Sequence, residues 1–346
     1  MHASTSAIWA LSLGLTLATT SSTRAQESSS ISASLSYQAA EEWTWILPRE
    51  TWRKAESHCG VAHQGDAAGF AVFQSGEMAL SVDANGDGRL EEKVKGQGGF
   101  LKLRGMDAEG DSFTYAVRFR FRNGYEWSSS GFMAGTLLGQ TVRVVDQNLN
   151  GRYDDYGVDA LIIGSTRGAA LLSRVVNLGG ELHDLEVSPD GATVKAKPWS
   201  GAAATLNLAS KFASQGELVS AVVKSGNTSF NLAGAKSGLK VPAGRYEFVH
   251  GWAEKGGETV AIRTGRMQPI DLKSGDDALV AWGGPIVAEF DYEKEGETVT
   301  VQPNLRFYGE AGEEYGPFQP DAKSPKIIVT DKKTRKILAS GRFGGC

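Results

Sequence analysis

The sequence predicts an all-β protein built as two or three β-sandwich-like domains. Three observations carry this expectation. Glycine is abundant, 43 of 346 residues, which favours turns and short strands over helices. Apolar and polar residues alternate in short runs, most clearly over Val117–Arg122, the period of a strand with one buried face. Clusters such as Asn123-Gly124 and Pro189-Asp190-Gly191 punctuate these runs and are the residues that tight turns select. At about 100–150 residues per domain, the length suits two or three units.

Residues 1–25 read as a secretory signal. Ile8–Ala18 is an apolar core too short to span a bilayer. Thr23-Arg24-Ala25 offers small residues for cleavage after Ala25, so a secreted or periplasmic protein is expected. The alternative is an unprocessed, disordered N-terminus. Residues 26–59 combine a Ser-rich linker with a Trp-rich segment. Gln26–Ser36 has the composition of a disordered stretch. Trp43, Trp45 and Leu47 alternate like a strand that Pro48 ends, and Arg49–Cys59 suits a short helix. Packing is the commoner use of Trp43, Trp45 and Trp52; a sugar-stacking platform is the alternative.

Residues 60–165 are expected to form one β domain with strands at Phe70–Phe73, Met78–Val82, Phe100–Leu103 and Phe113–Arg122. In the last of these, Val117, Phe119 and Phe121 share one face and Arg118, Arg120 and Arg122 the other. The arginine row suits solvent or acids on a neighbouring strand; binding of an acidic glycan is the alternative. Tyr125 and Trp127 return after the Asn123-Gly124 turn. Residues 171–270 read as a β-sandwich domain, with Leu182–Val187, Thr193–Lys197, Glu217–Lys224, Thr228–Leu232 and Leu239–Phe248 as strands. Residues 271–346 read as an immunoglobulin-like or appended β unit, with strands at Ala278–Trp282, Ile286–Tyr292, Thr298–Gln302, Lys326–Thr330 and Ile337–Gly341. Glu310–Pro320 reads as a loop.

Two acidic stretches stand out in residues 60–165: DANGDGRLEE from Asp83 and DQNLNGRYDDYGVD from Asp146, starting 63 residues apart. Each follows an alternating run. Both have an acid first, Asn third, an acid or amide fifth, Gly sixth, Arg seventh and an acid ninth. Oxygens at alternate positions of a tight loop can point at one centre, and a calcium ion takes six to eight of them at roughly 2.3–2.6 Å. Candidate ligands in the first loop are Asp83, Asn85, Asp87, the Arg89 carbonyl and Glu91; in the second they are Asp146, Asn148, Asn150, the Arg152 carbonyl and Asp154. The arginine guanidinium groups should face solvent. Gly88 and Gly151 supply the sharp turn before the seventh residue. A pair of ordinary Asn/Asp/Gly turns without metal is the alternative.

These positions resemble the first nine of an EF-hand loop. The twelfth, a bidentate Glu in that family, is Val94 or Gly157 here, and the flanks are strand-like. The pattern is more similar to the calcium loop set between strands in several secreted bacterial proteins. A missing ligand could come from Glu92 in the first loop and from Asp155 or Asp159 in the second. Separately, Pro242-Ala243-Gly244-Arg245-Tyr246 resembles the P-x-G-x-Y turn of carboxypeptidase-regulatory-like domains, which implies a transthyretin-like sandwich.

A net charge of −4 and the lack of a basic stripe with interleaved aromatics argue against a nucleic-acid partner. No apolar run is long enough for a transmembrane helix. Two cysteines behind a signal suggest one disulfide, Cys59–Cys346; two free thiols are the alternative. No G-x-S-x-G or H-E-x-x-H motif occurs. The sequence therefore favours an exported, calcium-binding, non-catalytic β protein serving adhesion, envelope structure or as a binding module, with a cell-envelope, glycan or protein partner. A secreted hydrolase of polysaccharide or peptide with structural calcium, and a carbohydrate-binding module using Trp252 or Trp282, are the alternatives.

Overall fold

Alternation sets the sheets. In Ser112–Phe121 the side chains of Tyr115, Val117 and Phe119 turn inward and are buried. This strand pairs on one side with Gly98–Met106 and on the other with Tyr125–Ser129, which also pairs with Arg53–Lys54. The chain is a computed structural model that describes residues 30–296, 298–302, 304–319 and 326–342. Among them there is no helix, and the strands form several sheets in which antiparallel pairing predominates.

Two sheets carry the acidic loops. One orders His58–Cys59, Phe70–Gly76, Ala79–Val82 and Glu92–Lys95, with the Asp83 loop closing the last pair at Val82↔Glu92. The other orders Ala170–Leu171, Ala160–Ile163, Gln140–Val145, Gly131–Leu137 and Ser36–Ala39, with the Asp146 loop closing Val145↔Ala160. Further along, a large sheet centres on Glu217–Ser225 and Gly244–Lys255. Parallel pairing joins Ala203–Asn207 to Asp277–Leu279 and Phe212–Ala213 to Trp282–Gly283.

Leu80, Val82, Phe70, Leu103 and Leu149 share one buried cluster, and Trp282, Tyr246, Leu206 and Val223 share another. Trp282 is fully buried and its indole N–H donates to the Leu208 carbonyl at 2.6 Å, so the polar end of a large ring is satisfied inside the core.

Four local expectations are corrected. Ile31–Ser34, in the stretch expected to be disordered, is a strand paired with Thr193–Ala196; its Ile-Ser alternation supplies a ladder that composition obscured. Trp43–Leu47 is not a strand: only Ile46 bridges, to Gly168. Its indoles go to arginine instead. The Arg118 guanidinium lies 4.1 Å from the Trp43 ring centre and 5.1 Å from that of Trp52, and Arg120 lies 4.0 Å from Trp52. Such contacts contribute about 0.5–2 kcal/mol each, most when desolvated. Arg118 also pairs with Glu50, and Arg120 with Glu126 at 2.7 Å. Arg49–Cys59 is not a helix. Arg53–Lys54 completes the edge beside Tyr125–Ser129, and Ala55 N–H donates to the Tyr125 carbonyl at 2.9 Å, so tertiary pairing overrides local propensity. Glu310–Pro320 is not all loop: Glu314–Gln319 pairs with Glu258–Arg263.

The disulfide is also corrected. Cys59 is a free thiol, 1% exposed, packed with Phe70, Leu103 and Val82. Burial, and secondarily the Asp83 charge, push its pKa far up, so it stays neutral and unreactive. Cys346 and the signal reading of residues 1–25 lie outside the described residues. In a Cys346→Ser variant, a thiol reagent should leave native protein unlabelled and modify one thiol after denaturation. Prompt labelling of the native state would contradict the enclosed position of Cys59.

Candidate functional site

Each acidic loop is organised by the aspartate that leaves the preceding strand. Asp83 is 3% exposed. Its Oδ1 accepts from the Gly86 amide at 2.7 Å and the Asn85 amide at 3.3 Å, and its Oδ2 from Gly88 at 2.8 Å. Asp146 is fully buried. Its Oδ1 accepts from Leu149 at 2.7 Å and Asn150 at 3.1 Å, and its Oδ2 from Gly151 at 2.7 Å. A carboxylate left without such donors inside a protein is costly, so each aspartate bends the chain around itself. The bend needs the left-handed region at the sixth position, where Gly88 and Gly151 have φ of +84° and +80°.

In the first loop, Asn85 Oδ1 accepts from the Asp87 amide at 3.0 Å and Asp87 Oδ1 from the Arg89 amide at 2.9 Å. Glu91 Oε1 accepts from Ala84 at 3.0 Å. One carboxylate oxygen from each of Asp83, Asp87 and Glu91 lies within 4.8 Å of the others. This acidic group, with Asp83 buried and the other two exposed, can hold a divalent cation. It contains oxygen donors and no Cys or His, which suits a hard ion rather than zinc. Glu92 is not in the group; it opens the return strand opposite Val82.

The second loop differs in its ligand side chains. Asn150 Oδ1 accepts from the Arg152 amide at 2.8 Å, as Asp87 does in the first loop. Arg152 and Asp154 do not follow their first-loop counterparts. The exposed guanidinium of Arg152 pairs with the Asp154 carboxylate at the surface, with contacts of 2.9 and 3.1 Å. Asp155 turns inward instead. Its Oδ2 accepts from both Asn148 Nδ2 at 2.7 Å and Asn150 Nδ2 at 2.6 Å. Its amide donates to Asp159 Oδ2 at 3.1 Å. Burial, and next the Asp146 charge, raise the Asp159 carboxyl to about 8.

Three features of the site were missed in the sequence. Tyr115 donates its phenol to Asp146 Oδ2 at 3.0 Å. Its signal was a polar tip on the apolar face of the Phe113–Phe119 alternation. Leu149 stands in the left-handed region at φ +65°, where the first loop has Gly86 at +73°. A bulky residue there is disfavoured by roughly 1–2 kcal/mol, which the burial of Leu149 at 1% exposure in the cluster with Ala84 and Val82 offsets. Arg53 donates to the Asn148 carbonyl at 2.8 Å and ties the Trp-rich segment to this loop.

Two clefts border the loops. One of about 470 Å³ is lined by His63, Asn85, Gly86 and Arg104. The other, about 730 Å³, is lined by Tyr37, Lys102, Arg104, Asn150 and Tyr153. Elsewhere, Ser57 Oγ lies 3.0 Å from His58 Nδ1, and His58 Nε2 lies 2.8 Å from Asp66 Oδ2. This has the order of a hydrolase triad, but neither Ser57 nor His58 lines either cleft. Comparison of the chain with protein-family models, curated proteins and solved structures finds no match.

Two outcomes follow from this geometry. Leu149→Ala should destabilise the protein by about 2–5 kcal/mol, because the apolar contacts go while the unfavourable φ remains; denaturant midpoints measure it. In chelator, Asp159 is protonated when folded up to about pH 8 and ionised when unfolded above about pH 4. The folded state holds the extra proton across that window. The stability contributed is full below the unfolded pKa and is lost as pH rises through the folded one. The expected slope is at most about 1.4 kcal/mol per pH unit. Stability against pH should therefore fall less steeply in Asp159→Asn than in the wild type, and equal slopes would contradict the burial of this carboxyl.

Proposed function

We propose that this chain is an exported, non-catalytic β protein in which the Asp83–Glu91 loop holds calcium, within sandwich-like domains that serve adhesion, envelope structure or binding. The observation that carries the reading is the approach of the Asp83, Asp87 and Glu91 carboxylates to within 4.8 Å of one another. Three carboxylates so close repel one another, and a divalent cation among them removes the repulsion. Asn85 Oδ1 and the Arg89 carbonyl would complete an all-oxygen set. Calcium tolerates such irregular sets, whereas magnesium demands near-ideal octahedral geometry and keeps its waters.

The site is structural rather than a switch. Its flanks are antiparallel strands in register at Val82↔Glu92 and Ser81↔Lys93, so there is no helix pair to swing open. Without a bidentate Glu at the twelfth position, affinity should fall toward about 10⁻⁴–10⁻³ M, the range of extracellular modules. Export, read from residues 1–25, would carry the protein to where calcium reaches such concentrations. Of the described residues, no helix is long and apolar enough to cross a membrane.

An ion that binds only the folded state adds about 2.7 kcal/mol at a hundred times its dissociation constant. Calcium should therefore raise the melting temperature of chelator-treated protein, and magnesium should raise it less. Asp83→Asn and Glu91→Gln should each lose the share of the gain that belongs to this loop. A wild-type melt indifferent to calcium, or variants that gain as much as the wild type, would end the reading.

A further inference from the structure

We propose that the Asp146–Asp159 loop is a second divalent-cation site, rewired so that Asp146, Asp155 and Asp159 supply its carboxylates and Asp154 lies outside it. The site owes nothing to Asp83, Asp87 or Glu91. Its first support is an orphan. Asp159 is fully buried, and its Oδ1 has no well-formed hydrogen bond, although the Gln147 backbone amide also acts on this carboxyl. Nearly all buried polar atoms are satisfied, and one that is not requires a physical reason. Asn148 Oδ1, also enclosed, is a second such atom in the same loop. The orphan oxygen of Asp159 sits among charges, because both Asp146 and Asp155 act on this carboxyl electrostatically.

The second support is the direction of the amides. Asn148 Nδ2 and Asn150 Nδ2 both converge on one oxygen of Asp155. The side chains of Asn148, Asn150 and Asp155 thus face a common centre, and the Asp155 backbone amide ties the Asp159 carboxylate beside it. Turned half a revolution about its terminal torsion, Asn148 presents Oδ1 to that centre and gains the partner it lacks, while Asn150 Oδ1 stays on the Arg152 amide. A cation at the centre satisfies both orphan oxygens at once. A proton on Asp159 would satisfy one at most.

The third support is the fate of Asp154. The ninth-position acid of the first loop, Glu91, belongs to the convergent group there. Its counterpart Asp154 is engaged by both the Nε and Nη2 of Arg152. The chain has moved the acid one residue on, to Asp155, and has borrowed Asp159 from the head of the return strand, next to Ala160. The fifth position is an amide here and a carboxylate in the first loop, so Asp159 restores the charge that Asn150 omits. Charge count is one of the properties that set affinity in such sites. The second site is also more deeply enclosed than the first, since Asp146 and Asp159 are both fully buried whereas Asp87 and Glu91 are exposed.

The test is calcium titration calorimetry on the full chain after chelator treatment, with far-UV circular dichroism to verify folding. Wild-type protein should bind two equivalents, and Asp83→Ala should retain one. In the Asp83→Ala background, Asp159→Asn, which preserves shape, should weaken the remaining site by about tenfold or more. So should Asp155→Asn, at a partly exposed position that does not depend on core packing. Asp154→Asn in that background should leave it unchanged. If wild type binds one equivalent and Asp83→Ala binds none, the second site is overturned while the first stands. If Asp154→Asn weakens the remaining site and Asp155→Asn does not, the rewired ligand set is overturned. If one equivalent survives Asp83→Ala and is lost on Asp159→Asn, the second site stands whatever the first loop does.

Discussion

A buried carboxylate at the mouth of a hairpin loop is the constraint on which this part of the molecule depends. Asp83 and Asp146 are buried at the ends of their strands, and neither has an arginine or lysine partner in an ion pair among the described residues. Each is satisfied mainly by what the loop can offer, which is backbone N–H. Three amides on Asp83, and three amides plus the Tyr115 phenol on Asp146, do this. The amide donors lie two to five residues ahead in the chain. Turning them back makes the loop compact, places the next side-chain oxygens on its concave side, and sets Val82 against Glu92 and Val145 against Ala160. Hydrogen bonds to ionised acceptors are among the stronger ones in proteins, so the aspartates shape the loop before any cation adds to it.

The Trp-rich segment extends this frame. Trp43, Arg118, Trp52 and Arg120 alternate as ring and cation, and Glu50 and Glu126 balance the arginines. The stack clamps an irregular stretch onto the outer face of the Ser112–Phe121 strand. On the inner face of that strand Tyr115 reaches Asp146. One strand therefore serves both the packing of the segment and the second loop. Arg53 adds a direct link to the Asn148 carbonyl. Leu149 adds another, since it crosses from the second loop into the core beneath the first.

Much of this was legible in residue spacing. The Asp-x-Asn-x-Asp/Asn-Gly periodicity marked both loops because a cation-like centre and an amide-wrapped aspartate demand the same alternation. Asn123-Gly124 marked its hairpin because Asn and Gly accept positive φ, +50° and +114° here. What escaped was set by distant contacts. Asp154 and Asp155 are alike by type; the surface pair of Arg152 with Asp154 and the amides of Asn148 and Asn150 on Asp155 separate them only once the loop has folded. Ile31–Ser34 is Ser-rich and becomes ordered only because Thr193–Ala196 offers an edge. The expected pairing of Cys59 followed from an even cysteine count, but its burial among Phe70 and Leu103 arises from how two sheets pack, and that leaves no trace in the count.

The central claim is that the Asp83, Asp87 and Glu91 oxygens are ligands rather than a chance meeting of acids in a turn. Diffraction from crystals grown in millimolar calcium, with data collected for anomalous signal, tests it most directly. The expected result is an anomalous peak inside the Asp83–Glu91 loop, with oxygens of all three side chains at roughly 2.3–2.6 Å from it. A loop whose carboxylates stay turned to their own backbone amides, with no anomalous density between them, would contradict it.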